Sequence, residues 1–144
     1  MREILFRGKM ENGEGWVFGH YHNTTYVGYP NGGDNKTTRH YILPPNSGDA
    51  YVVIPETVGQ FTGLEDKTRR KIFEGDIVRY MNKETMVVSW RNESASFVGT
   101  YSAVNFNYCV TLMCANTYLE IIGNIYDNPE LLEVKNAQHK RKAD

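Results

Sequence analysis

"IVRYMNKETMVVSW", residues 77–90, decides the fold. Val78 and Tyr80 share one face of a first segment, and Met86, Val88 and Trp90 share one face of a second, across the turn "MNKE". A period of two on either side of a short polar turn is what an antiparallel hairpin with one buried face produces. Downstream, "SASFVGTY", "NYCVTLM" and "TYLEIIGNIY" supply three more strands at the spacing of an all-β barrel or sandwich. Helical signal is confined to Asn128-Pro129-Glu130, where a cap residue, a proline and an acid stand in the order that starts a helix. "PELLE" reads as one short terminal helical turn, and residues 135–144 as a solvated tail.

Upstream of the hairpin lies "IPETVGQFTGLEDKTRRKIFEGD", residues 54–76. Gly59, Gly63 and Gly75 are too sparse for a phosphate-cradling loop, and a strand rather than a helix follows them. They read as turn glycines. Nearer the N-terminus, "REILFRG" is followed by a turn at Asn12-Gly13. "GWVFGHYH" and "TYVGY" read as a hairpin folded around Asn23 and Thr24. Residues 28–50 are dense in Gly, Pro, Asn and Asp and read as a long mobile excursion with one short strand at Arg39–Leu43. "AYVVIP" resumes the sheet, and Pro55, having no N–H to give, ends that ladder.

The expected organisation is therefore an antiparallel N-terminal β subdomain over 1–66, a small β-barrel over 67–134 and the tail. A chain of 144 residues is long enough for a core without staples. Its aromatic share of 12%, led by Tyr, fits pleated half-buried surfaces. A net charge of -1 argues against a protein built mainly to hold nucleic-acid phosphates. Cys109 and Cys114 are the only cysteines; they are expected to be reduced thiols on opposite faces of one strand, not a zinc pair. "MREILFRGKM" lacks the apolar core of a secretory signal, and no apolar run approaches the roughly twenty residues that cross a bilayer. The expected location is cytoplasmic.

In combination, "FRGK", "GEGWVFG", "IPETVGQFTGLEDK", "KIFEGDIV", a V-x-W strand and "YLEIIGNIYDNPELL" resemble the YopX family of phage and prophage proteins, from about Arg2 to Leu132. The resemblance implies an all-β protein with an SH3-like barrel in its C-terminal half, a separate β subdomain before it and, for a phage gene, the host cytoplasm. It brings no catalytic residues with it. In one respect this chain departs from the pattern: Thr68-Arg69-Arg70 stands where relatives often carry an Asn-Gly pair. Without glycine a positive φ is costly, so a wider and more basic loop is expected here.

Three constellations bear on chemistry. Glu74 and Asp76 stand at strand spacing, but no third ligand lies near them, and the ordinary role of such an Asp is to bond N–H groups in its own turn. His20 and His22 share a strand face and could hold zinc with His40, yet His40 lies beyond the expected excursion. Lys67, Arg69, Arg70 and Lys71 form a basic loop, with Arg79, Tyr80, Trp90 and Arg91 in the strands that follow. Positive charge beside aromatics is the pattern of single-strand binders; equally, lysine and arginine keep a sheet edge from pairing. The expectation is a non-enzymatic interaction module without metal or cofactor. Its partner is a protein, with self-association as one form of this. Single-stranded nucleic acid is the alternative, bound by the basic loop and its aromatic neighbours.

Overall fold

The computed structural model describes residues 1–28, 35–82, 84–101, 109–112 and 118–132. Among them the protein is all-β, with two antiparallel sheets and a short helical stretch at residues 130–132. The chain divides into two compact units, Met1–Phe61 and Thr62–Asp144.

The first unit is built from β1 (Phe6–Lys9), β2 (Trp16–Gly28), β3 (Asn35–Leu43), β4 (Tyr51–Val52) and the start of β5 (Gly59–Glu65), in the order β4-β3-β2-β1-β5. Beyond β4 the chain bonds back towards β1. Met10 bridges Val53, the Ile54 N–H donates to the Lys9 carbonyl at 2.9 Å, and the Glu11 N–H donates to the Val52 carbonyl at 3.0 Å. Pro55 then opens a 3-10 turn, Pro55–Thr57, so the ladder stops where a residue without an N–H requires it to. Val17, Ile42 and Val53 form the buried centre, with Phe6, Met10, Tyr21, Tyr51 and Val58 packed against them.

Two expectations for this unit are overturned. There is no turn at Asn23-Thr24: β2 runs unbroken for 13 residues and pairs with β3 in register from His20↔Leu43 to Gly28↔Asn35. Thr24, Thr25, Tyr26 and Val27 are β-branched or aromatic, and continued pairing outweighs the turn preference of one Asn. Correspondingly, the excursion over 28–50 contains a nine-residue strand from Asn35, not a short one from Arg39. Residues 29–34, which join the two strands, lie outside the described residues.

In the second unit β5 continues beside β6 (Lys71–Phe73). Beyond them β7 (Asp76–Tyr80), β8 (Glu84–Arg91), β9 (Ser96–Tyr101), β10 (Cys109–Thr111) and β11 (Leu119–Asn124) form a sheet in the order β10-β9-β8-β7-β11. The period of two read at residues 77–90 is the observed one. Val78 pairs with Met86, and Ile72, Val78, Met86, Val88, Phe97, Leu112 and Leu119 form one buried cluster. Among the described residues no ladder joins β10 to β11 and no closed barrel is found. After β11, Asn128 Oδ1 accepts the Asn124 N–H at 3.2 Å and helical residues begin at Glu130, beyond Pro129. Cys109 opens β10, whereas Cys114 and the expected tail lie outside the described residues.

Candidate functional site

The basic loop is organised around Asp66, whose side chain is fully buried. The Asp66 N–H donates to the Arg70 carbonyl at 2.8 Å and the Arg69 N–H to the Asp66 carbonyl at 2.9 Å. This closes a hairpin loop of Lys67, Thr68 and Arg69. In such loops the last residue adopts positive φ. Arg69 does so at 66°, so the loop is tight and not the wider one expected in the absence of glycine. The reason is the aspartate. Its Oδ1 accepts the Thr68 N–H at 2.8 Å, the Thr68 hydroxyl at 2.7 Å and the Arg70 N–H at 3.0 Å, while Oδ2 accepts the Ile121 N–H at 3.1 Å. Burial pushes the Asp66 carboxyl up, but the donations from Arg70, Ile121 and Thr68 outweigh it and hold the group far below the usual carboxylate range.

Two cations of this loop are matched within the unit. Lys67 pairs with Glu120 at 2.8 Å, and Arg70 pairs with Asp66 at 3.0 Å while also donating to the Ile121 carbonyl. The hydrogen bond from Lys67 holds the Glu120 carboxyl below its ordinary value, with Arg79 and Arg70 adding to the effect. Arg69 is exposed, and Lys71 starts β6 half-buried.

The remaining residues singled out from the sequence are spread along the sheet. Arg79 pairs with Glu120 and Thr85 across its two ladders, and Tyr80 packs edge-on to Tyr118 at 6.2 Å. Trp90 and Arg91 stand at the far end of the eight-residue β8, roughly 20 Å from Tyr80 and Arg79 at about 3.3 Å per residue. Trp90 meets Phe97 edge-on and donates to Asn92 at 2.9 Å; Arg91 lies 3.5 Å from Glu93. Lys67, Arg70 and Arg79 are thus gathered near Glu120, and Trp90 and Arg91 are not part of that group.

Neither of the other constellations assembles. Asp76 is buried and its Oδ2 accepts the Phe73 N–H at 2.8 Å, bracing the turn in which Gly75 has φ 84°. His22 lies on the ribbon face of Tyr41, whereas His40 lies on the opposite face, its Nδ1 hydrogen-bonded to the Tyr21 hydroxyl at 2.6 Å. Among the described residues no group of three metal-ligating side chains converges, and no helix is long and apolar enough to cross a membrane.

The feature sequence reasoning missed is the outer half of the β2–β3 hairpin. β1 pairs with β2 only as far as Gly19, and β4 pairs with β3 only at Tyr41 and Ile42. From Asn23 to Gly28 and from Asn35 to Arg39 the two strands pair, among the described residues, only with each other. One face carries His22, Thr24 and Tyr26 beside Tyr41, Arg39 and Thr37; the other carries Asn23, Thr25 and Val27 beside His40, Thr38 and Lys36. Cross-strand bonds hold it together, with Thr25 to Thr38 at 3.0 Å and the Tyr26 and Tyr41 hydroxyls at 3.3 Å. That last bond raises the Tyr26 phenol above its ordinary value. Tyr26, Thr37 and Arg39 frame an open hollow of about 360 Å³.

A model of the family described as YopX protein matches residues 6–133. The chain belongs to the YopX family. The matched span runs through both units, including the β2–β3 ribbon and the Asp66 loop, so both features lie within the family's extent. The crystal structure of protein EF1440 from Enterococcus faecalis is similar to this YopX member at 20% identity, over 92% of this chain and 99% of that one, with a TM-score of 0.48. No curated protein matches the chain.

Proposed function

We propose that this YopX family member is a non-enzymatic interaction module that binds another protein, with the β2–β3 ribbon as its docking element. The observation that carries the reading is the ribbon's isolation. Among the described residues no strand pairs with the free edges from Asn23 to Gly28 and from Asn35 to Arg39, and Thr25 to Gly28 and Lys36 to Arg39 are exposed. A bare two-stranded ribbon is marginal by itself, and an unpaired strand edge is a template for another chain. Tyr26 and Val27, each about half exposed, supply the aromatic and aliphatic area on which protein interfaces draw. The separation of His40 from His22 and the structural use of Asp76 support a non-catalytic role. The SH3-like arrangement implied by the resemblance is kept within this proposal for the C-terminal half, as is a phage setting in a host cytoplasm. Single-stranded nucleic acid is the less favoured partner, because Glu120 and Asp66 already match two of the loop's cations.

The test is a variant in which residues 25–38 are replaced by Asn-Gly, the dipeptide suited to a tight hairpin. Affinity capture from host lysate, with and without nuclease, compares it with the intact chain. The reading expects a nuclease-resistant, stoichiometric protein partner that is lost on shortening the ribbon. Undiminished capture by the shortened chain, or loss of all partners after nuclease, would contradict it.

A further inference from the structure

The ribbon has a chemical polarity that narrows what can dock on it. The Val53 N–H donates to the His40 carbonyl at 2.9 Å, so the main-chain groups of His40 point to the outer edge of β3. Orientation alternates along a strand, so Thr38 and Lys36 turn their N–H and C=O groups the same way, where no strand lies among the described residues. Each presents a donor and an acceptor side by side, which only another peptide backbone matches in kind.

Charge gives the second constraint. Neither β2 nor β3 contains an Asp or Glu, while the two strands hold Lys36, Arg39, His20, His22 and His40. No carboxylate pairs with Lys36 or Arg39 among the described residues. The two cations occupy opposite faces of β3, so an added strand would meet one on either side. On Arg39's face the hollow is lined by Arg39 with the hydroxyl-bearing Tyr26 and Thr37, side-chain types suited to seating a carboxylate.

We infer that the outer edge of β3, from Lys36 to His40, accepts an extended acidic segment of a partner protein as an added strand, with one of its carboxylates seated against Arg39, Thr37 and Tyr26. This rests on the ribbon being the docking element. A second copy of the ribbon fits poorly, because edge-to-edge pairing would bring like charges together. Nucleic acid fits poorly as well. Two cations give a salt dependence of only about two phosphate contacts, and the outward carbonyls of Thr38 and Lys36 would face phosphate oxygens.

The experiment is fluorescence anisotropy of the full chain with labelled short peptides that alternate Glu with Val, Thr or Tyr, against the same peptides carrying Gln in place of Glu. Single- and double-stranded oligonucleotides are run alongside. The expected result is affinity at least about tenfold higher for the Glu series, lost in the Lys36→Glu/Arg39→Glu double variant and unchanged in Lys67→Glu. Thr38→Pro removes an outward N–H without breaking the β2 ladder, and it too should abolish binding. Amide exchange at Lys36 and Thr38 should slow when the Glu peptide binds. Equal affinity for the Gln series, no peptide binding, or tighter binding of an oligonucleotide would each overturn the inference. Failure of every peptide while ribbon shortening still abolishes lysate capture would overturn this inference alone; capture that survives shortening would overturn the parent reading.

Discussion

The Asp66 carboxylate accepts the backbone N–H of Ile121 at 3.1 Å, although the two residues are separated by most of the second unit's sequence. One buried side chain thereby fixes the loop it belongs to and the strand beside it. Asp66→Asn keeps a carbonyl acceptor but turns an amide NH2 towards donors, leaving buried N–H groups unmatched. The expected cost is about 2–4 kcal/mol, read as a lower denaturation midpoint in urea with the slope unchanged.

Acid should act on the same group. The folded-state pKa of Asp66 lies below its unfolded value of about 3.9, so the stability it contributes is present above that pH. It is lost as pH falls through the depressed folded-state value. Glu120, lowered by its bond to Lys67, acts in the same direction. Urea titrations should give a plateau above about pH 5 and a decline below it. In Asp66→Asn most of that decline should be absent.

Arg69 holds a backbone conformation that L side chains adopt at a cost of about 1–2 kcal/mol. Arg69→Gly should relieve it and raise the midpoint, for a net gain of about 1 kcal/mol after the greater unfolded-state freedom of glycine. A decrease would mean that the guanidinium contributes more to the fold than its exposed position indicates.

Gly19 sits where β2 leaves β1 and continues into the ribbon. A Cβ there would overlap the Leu43 carbonyl, which is backbone and cannot swing aside. Gly19→Ala should therefore disrupt the β2–β3 crossing and cost about 3 kcal/mol or more, the upper end of overpacking effects. The loss should appear in the exchange protection of amides from Val17 to Ile42.

The β7–β8 hairpin of the second unit was legible because its core face alternates, most clearly along β8. Val78, Met86 and Val88 are buried where a period of two puts them. The ribbon was not legible, because the Gly, Pro and Asn dense over 28–35 read as turn residues and drew the following Thr37-Thr38 into the same reading. Its stability comes from a partner strand, which no local window reveals. The basic loop was legible as charge and not as structure. Asp66 follows Glu65 in an ordinary polar run, and nothing in that run signals that Ile121 will supply it with a donor. Likewise, alternation places Arg79 and Tyr80 on opposite faces, but the distance to Trp90 depends on the register of β7 with β8.

The most direct measurement is amide hydrogen exchange across the whole chain, alone and with its captured partner bound. The account predicts slowed exchange at Lys36 and Thr38 on β3, with residues 67–71 unaffected. Protection confined to the 67–71 loop, with the ribbon amides exchanging as in the isolated chain, would contradict it.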